Sequence, residues 1–134
     1  MKAVKLEAGK YAEIVEIDAD LKSLQEAVGG LIDVVTPFKR KACIVVNDEG
    51  KVLGLPLNRA LKWCGGKVYD IIAGPAYILG DTGEGEFCSL SDRDAEHYRR
   101  MFRNPEAFVR QQDGSIAAWP CTPEVCRTIM HMND

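Results

Sequence analysis

Residues 70–90, DIIAGPAYILGDTGEGEFCSL, form the densest apolar stretch of the chain. The aliphatic residues favour β-strands, but Gly74 and Pro75 interrupt them and require a bulge, a bend or a sheet edge. The acidic, glycine-rich residues 81–85 predict a turn, after which residues 86–90 can pair back as a strand. We therefore expect this segment to form the scaffold of the domain.

Short strands and one helix are predicted upstream of this scaffold. Apolar stretches indicate strands at residues 3–6, 13–17, 31–35, 42–46 and 51–53, the first two as a hairpin. Asp18 or Asp20 can cap a helix that Gly29 ends, because glycine adopts the left-handed conformation at low cost. Residues 58–62 predict one or two helical turns, with Asn58 as a possible cap.

A second helix is predicted after the scaffold, and it ends at Pro105. Ser91 can cap its first turn, and acidic residues follow the cap, as a helix dipole favours. The apolar stripe of this helix consists of Ala95, Tyr98 and Phe102.

The tail predicts a hairpin and a third helix. Residues 107–111 and 116–119 flank a turn that contains Gly114, and Pro123 stands where the first turn of a helix accepts proline. At 134 residues the chain has the commonest size of one domain. We therefore expect a single compact α+β domain over residues 1–134, with a mostly antiparallel small sheet and two to four short helices.

Composition and charge exclude several classes of function. Apolar residues make up 46% and charged residues 28%, which is ordinary for a globular protein. The net charge of −3 is too weak for a DNA mimic and provides no general basic field, so nucleic acid is not an expected partner. The N-terminus lacks the features of a signal peptide, and residues 71–80 are too short to cross a bilayer. A cytoplasmic protein with no membrane partner is expected.

The cysteines and acidic residues leave metal binding as a minor alternative. Five cysteines occur at wide spacing and in odd number, which favours small thiols in a reducing compartment; they are Cys43, Cys64, Cys88, Cys121 and Cys126. The last two could instead hold zinc together with His131. A metal cluster is also conceivable among the loop acids Asp70, Asp81, Glu84 and Glu86, but such acids more often form solvated turns. No cofactor is expected.

Catalytic residues are not apparent. A nucleophile needs a base within hydrogen-bond reach, and the two histidines, His97 and His131, lie outside the glycine-rich turns. Cys88 and Ser89 have no visible partner. The sequence therefore predicts no catalytic site.

The first candidate for ligand binding is the pair Asn58 and Arg59. The amide suits a base edge or a ribose, and the planar guanidinium matches a phosphate with two hydrogen bonds. Gly74 and Pro75 would shape the adjacent wall. The alternative is a capped helix with a surface arginine.

Aromatic and basic residues supply further candidates. Residues 38–41 combine the Phe38 ring with three positive charges, including Arg40, and Trp63 and Tyr77 could stack on a base. A core or an oligomer interface is the alternative for each aromatic ring. The main concentration of basic residues favours a solvated helix face, with an acidic partner or nucleic acid as the alternatives; it consists of Arg93, Arg99, Arg100, Arg103 and Arg110.

Six ordered blocks carry a resemblance to a known family; they are residues 26–30, 47–50, 55–61, 70–74, 78–81 and 85–92. In these blocks the chain resembles a small family that carries only a domain-of-unknown-function label and is frequent in phages, plasmids and conjugative elements. The resemblance covers residues 1–103. Residues 104–134 are an addition to the family pattern and form a C-terminal extension.

The resemblance implies an accessory role in a mobile element, and such proteins often counter host defence. We expect a non-enzymatic protein that sequesters a nucleotide-derived signal, such as a cyclic ADP-ribose isomer made by a TIR-domain enzyme, in a pocket that a homo-oligomer could share. One alternative is an interaction module that inhibits a host defence enzyme, with the extension as its contact. A hydrolase of the nucleotide signal is the other alternative.

Overall fold

The computed structural model describes residues 1–132, with side chains through residue 129. Three helices occur in this part of the chain; they are α1 (Leu21–Val28), α2 (Asp92–Met101) and α3 (Pro123–Met132). Ten strands accompany them; they are β1 (Lys2–Leu6), β2 (Glu13–Glu16), β3 (Ile32–Val35), β4 (Ala42–Asn47), β5 (Leu57–Lys62), β6 (Val68–Ala73), β7 (Ala76–Asp81), β8 (Phe87–Cys88), β9 (Glu106–Arg110) and β10 (Ile116–Pro120).

The main sheet has six strands, and all of its pairs are antiparallel. Its order is β2-β1-β7-β4-β3, with β8 pairing against the end of β7. The hairpins β5–β6 and β9–β10 form two separate two-stranded sheets. The predicted α+β class with a mostly antiparallel sheet is therefore confirmed.

Strand β7 lies at the centre of this sheet, between β1 and β4, and residues 76–80 are buried. Because successive residues of a strand point to opposite faces, β7 contributes to two cores. Ile78 packs with Tyr98 of α2 on one face, whereas Tyr77 and Leu79 pack with Leu24 of α1 on the other. The sheet is thus covered by helix on both sides.

Gly74 and Pro75 mark the point where the chain changes sheets. Strand β6 ends at Ala73 in the β5–β6 hairpin, and β7 begins at Ala76 in the main sheet. Gly74 has φ +87°, and a Cβ there would lie 2.7 Å from Leu55 Cδ1. The predicted irregularity is confirmed, and the glycine satisfies both the backbone angle and the close approach.

Helix caps also follow the sequence signals. The Asp20 side chain accepts a hydrogen bond from Ser23 N at 2.9 Å, and Gly29 ends α1 with φ 82°. The Ser91 hydroxyl accepts from Asp94 N at 3.1 Å at the start of α2.

Two local predictions are wrong. Residues 51–53 form turns and not a strand, with Leu53 N donating to Glu49 O at 2.8 Å. Residues 58–62 belong to strand β5 and not to a helix, because they pair with β6, with Arg59 opposite Ile72. Tertiary pairing overrides a weak helical preference in so short a segment.

The C-terminal extension contains the predicted hairpin and helix, and it is attached to the rest of the chain. Ala60 N donates to Glu106 Oε1 at 3.0 Å, and Cys121 N donates to Pro105 O at 2.9 Å. Cys121 and Cys126 form a disulfide with a Cα–Cα distance of 6.2 Å, which corrects the expectation that both are thiols. The other three cysteines are free.

Candidate functional site

Asn58 and Arg59 lie in the interior, and this position corrects their expected role in ligand binding. Neither side chain has any exposed surface. Asn58 Nδ2 donates to Leu6 O at 2.9 Å and to Gly74 O at 2.8 Å, while Oδ1 accepts from Arg59 at 2.9 Å. The amide therefore fastens the sheet switch to β1 and has no group left for a base edge.

The Arg59 guanidinium connects three segments of the backbone. Nε donates to Phe102 O at 3.1 Å, and the terminal nitrogens donate to Lys10 O at 2.8 Å and Glu7 O at 3.4 Å. Burial lowers the pKa of Arg59 to about 10, and nearby Glu106 acts in the opposite direction. Since its donors already serve carbonyl oxygens, Arg59 holds the end of α2 against the β1–β2 loop and is not placed to bind phosphate.

A cavity of about 670 Å³ opens beside this link. Its walls come from the loop 37–40, from residues 60–62 at the end of β5, from Tyr69 of β6, from residues within 97–106, and from Pro120. We call it the basic pocket. Its volume lies within the range of about 300–1,000 Å³ that is usual for small-molecule sites.

Aromatic rings form one wall of the basic pocket. The centroids of Phe38 and Tyr98 are 4.6 Å apart, and those of Phe38 and Phe102 are 6.2 Å apart in an edge-to-face arrangement. Phe38 and Phe102 are each partly exposed. The rings are inclined to one another, by 42° and 72°, so the wall offers the face of a single ring, such as Phe38, for stacking on a planar group.

Cationic side chains outnumber acids around the pocket. Five lining residues carry positive charge, and Glu106 is the one lining carboxylate; the five are Lys39, Arg40, Lys62, Arg100 and Arg103. In the described part of the chain, the two lysines form no salt bridge. The local field is therefore positive although the whole chain is acidic, and it favours an anion.

Two of these cations have acidic neighbours outside the pocket lining. Arg40 pairs with Asp94 at 2.9 Å, and Arg100 pairs with Glu96 at 3.0 Å. Hydrogen bonds from Arg99 and then Arg100 hold the pKa of Glu96 at about 2. The pairs orient the guanidinium groups at the rim, where exposed ion pairs are weak enough for an incoming anion to compete.

Tyr98 places an unpartnered polar atom in the wall. The residue is 1% exposed, and its hydroxyl is buried without a hydrogen-bond partner among the described residues. Burial raises the pKa of Tyr98, so the hydroxyl keeps its proton and can donate. A buried hydroxyl without a partner is unfavourable by about 1–3 kcal/mol, and such groups in folded proteins usually meet a water or a ligand.

A family model described as Domain of unknown function (DUF3846) matches residues 1–103. The chain belongs to this family. No curated protein and no solved structure matches the chain. The matched region contains Phe38, the five cations and Tyr98, which are the groups that give the basic pocket its chemistry.

The extension beyond the DUF3846 match completes the pocket. Asn104, Glu106 and Pro120 line it, and all three follow residue 103. Through its bond to Ala60 N, the Glu106 carboxylate also fixes the edge of β5. Three lining residues of the basic pocket therefore lie outside the region that the family model matches.

The structure brings together some of the sequence-predicted residues and separates others. Phe38 and Arg40 line the basic pocket, whereas Trp63 lies next to it at the tip of the β5–β6 hairpin. Gly74 and Pro75 lie at the sheet switch, and Tyr77 packs in the core on the α1 side of the sheet. The last three residues do not line the basic pocket, and their role in ligand binding stays a prediction.

The proposed metal and nucleophile residues are not gathered at one site. Asp70 pairs with Lys51, and Asp81 accepts from Gly83 N at 2.8 Å within its own turn. Among the described residues no group of three His, Cys, Asp or Glu side chains could hold a metal ion. The His131 side chain lies outside the described residues, and Cys88 and Ser89 do not line the basic pocket.

The sequence contained partial signals for the residues it missed. Tyr98 belongs to the apolar stripe of α2 and Phe102 is its C-cap, while Arg100 in the helix and Arg103 just beyond it belong to the basic concentration. What the sequence could not provide was the position of α2 beside the loop 37–40, which turns these separate features into one pocket.

None of the helices in the described residues is long and apolar enough to cross a bilayer.

Proposed function

We propose that this DUF3846 protein is a non-enzymatic binding protein that sequesters a nucleotide-derived signal, such as a cyclic ADP-ribose isomer made by a TIR-domain enzyme. Sequestration would remove the signal from its host receptor and so counter antiviral defence. The resemblance to proteins of phages and conjugative elements supports this setting, and a cytoplasmic location fits it.

One observation carries the proposal: an aromatic wall and a cationic rim meet in the basic pocket, and it is lined by Tyr98, whose buried hydroxyl has no partner among the described residues. A nucleotide has a planar base, phosphates and polar hydroxyls, and it therefore needs these three kinds of contact. The base would stack on Phe38, the phosphates would meet Lys39 and Arg100, and the Tyr98 hydroxyl would donate to an acceptor on the ligand.

The pocket is formed before the ligand arrives, which favours capture. The Arg59 link and the Glu106 contact hold residues 102–106 against β5, so binding requires little ordering of this wall. The bound ligand would stabilise the folded state by RT ln(1 + [L]/Kd), and this makes thermal shift a direct readout.

The test compares two double variants by calorimetry with ADP-ribose and with cyclic ADP-ribose isomers. Lys39→Gln/Arg100→Gln removes two charges from the pocket, whereas Lys22→Gln/Arg93→Gln removes the same two charges from exposed helix positions away from it. We expect the pocket variant to lose at least about ten-fold in affinity, since each charged hydrogen bond contributes roughly 1.5–3 kcal/mol. The control variant should bind like the wild type.

Two results would contradict the proposal. One is the absence of both heat and thermal shift with every nucleotide tested at low ionic strength. The other is an equal loss of affinity in both double variants, because that would assign binding to net charge and not to the pocket.

Sequestration is separated from hydrolysis by recovery of the ligand. The complex is heat-denatured, and the released small molecule is identified by mass spectrometry. Intact ligand in a one-to-one ratio supports capture, whereas conversion by substoichiometric protein would identify a hydrolase.

A second candidate function is an interaction module that inhibits a host enzyme, and exposed apolar side chains of the extension favour it. Val109, Trp119 and Val125 are 48%, 60% and 48% exposed. Deleting the whole extension would also remove Glu106 from the pocket, so the sharper variant is Trp119→Ser. If Trp119→Ser abolishes the pull-down of a host protein while nucleotides give no thermal shift, this candidate replaces the first. The homo-oligomer stays a prediction.

A further inference from the structure

The tip of the β5–β6 hairpin carries a stacked aromatic pair that the fold does not cover. The rings of Trp63 and Tyr69 lie 4.2 Å apart between centroids, at an interplanar angle of 28°. Their side chains are 61% and 38% exposed. A stacked pair with this much exposed surface is unusual for core packing and suits a further planar ring.

The turn holds the pair in place without help from the core. Trp63 N donates to Lys67 O at 2.9 Å, and Gly66 N donates to Trp63 O at 2.8 Å. Gly66 adopts φ +84°, which a hairpin turn of this kind requires. These bonds fix the backbone of the turn next to the pair, and the two rings orient each other by stacking.

The pair is continuous with the basic pocket. Tyr69 lines the pocket, while Trp63 stacks on Tyr69 outside the lining. Lys62 precedes Trp63 and also lines the pocket, and Lys67 closes the turn on the other side. Lysines therefore precede both residues of the aromatic pair in the hairpin sequence, and Lys62 lines the pocket beside it. Positive charge next to exposed rings is complementary to an anion that carries a planar ring, and it argues against a purely apolar protein surface as the occupant.

We infer that Trp63 and Tyr69 form a second base-stacking subsite, and that the ligand is an anionic dinucleotide with two heteroaromatic bases joined through phosphate. One base occupies the aromatic wall inside the pocket, the phosphates lie along the cationic rim, and the second base stacks at the hairpin tip. This inference rests on the proposed function and adds the class of its ligand. It ranks a dinucleotide above a cyclic ADP-ribose isomer, which has a single adenine.

The experiment uses two ligands that differ by one base. ADP-ribose and diadenosine diphosphate share an adenosine, a diphosphate and a second ribose, but only the latter has adenine on that second ribose. Stacking of one base corresponds to about 5- to 150-fold in affinity. We therefore expect diadenosine diphosphate to bind tighter by a factor in this range, and we expect Trp63→Ala to abolish the difference.

Fluorescence gives a second readout, because the chain has two tryptophans with nearly equal exposure, Trp63 and Trp119. In Trp119→Phe, quenching by diadenosine diphosphate reports Trp63 alone, and the ligand preference should stay as in the wild type. In Trp63→Phe, the remaining Trp119 should not be quenched.

The outcomes separate this inference from the function on which it rests. Equal affinity for the two ligands, with no quenching of Trp63, overturns the second subsite and leaves the basic pocket intact. No binding of either ligand overturns both. A wild-type dimer that Trp63→Ala converts to monomer would assign the aromatic pair to a second copy of the chain, which also overturns the inference.

Discussion

The unpartnered hydroxyl of Tyr98 leads to a prediction in which stability and binding move in opposite directions. Tyr98→Phe removes the oxygen and keeps the ring that packs 4.6 Å from Phe38. Because the buried oxygen has no partner, its removal should raise the free energy of unfolding by about 1–3 kcal/mol. An unfolding entropy of about 2.1 cal/mol/K per residue amounts to about 0.28 kcal/mol/K over 134 residues, so Tm should rise by about 4–11 °C.

Ligand affinity should fall in the same variant. A hydroxyl that donates to a phosphate or ribose oxygen contributes about 1.5–3 kcal/mol when the acceptor is charged, which corresponds to about 10- to 150-fold in Kd. Thermal unfolding of the free protein measures the first effect, and calorimetric titration with ADP-ribose measures the second.

Tyr77→Phe is the matched control, because Tyr77 packs on the opposite side of the sheet. It should leave affinity unchanged. If Tyr98→Phe lowers Tm, the hydroxyl has a partner in the free protein and the reasoning is refuted. If Tm rises but affinity is unchanged, the hydroxyl does not face the ligand.

Three further predictions test the frame of the pocket. Arg59→Lys should lower the free energy of unfolding by about 3 kcal/mol or more in a denaturant titration, because the single nitrogen of an ammonium lacks the planar fork by which three nitrogens of Arg59 reach three segments; a near-neutral change would contradict the structural role. Gly74→Ala should be destabilising by more than about 1 kcal/mol, and by more than Gly85→Ala, since both glycines have positive φ but only Gly74 meets a neighbour at 2.7 Å; equal losses would contradict the steric argument. Glu96→Gln releases Arg100 and should tighten nucleotide binding by up to about five-fold. It should also flatten the acid side of the stability profile, because the depressed pKa of Glu96 makes its contribution present above pH 4.5 and lost as pH falls toward 2; an unchanged profile would contradict this.

Local signals were sufficient for much of the secondary structure. Asp20 and Ser91 cap their helices through side-chain oxygens, and Gly114 takes positive φ in the β9–β10 turn. These caps and this turn depend on a few neighbouring residues, so the local sequence is enough to predict them. The irregularity at Gly74 was predicted for the same reason. That the chain passes there from one sheet to another could be seen only from the strand order.

The errors lie where contacts outside the local segment decide the structure. Residues 58–62 have a capping asparagine and helix-forming neighbours, but their partner is β6, and burial of Arg59 depends on carbonyls far along the chain. The sequence does not distinguish an arginine whose N–H groups all donate to backbone carbonyls from an arginine that is free to bind phosphate. The same limit applies to Tyr98, whose place in a helical stripe does not reveal that its oxygen faces no partner.

The most direct test of the basic pocket is photocrosslinking with 8-azido-ADP-ribose, followed by peptide mapping. We expect the label to attach to the walls of the pocket, which are residues 37–40, 60–62, 69, 97–106 and 120, and excess unlabelled ADP-ribose to prevent the labelling. Labelling that competitor does not prevent, or that maps to segments away from these walls, would contradict the assignment of this pocket as the nucleotide site.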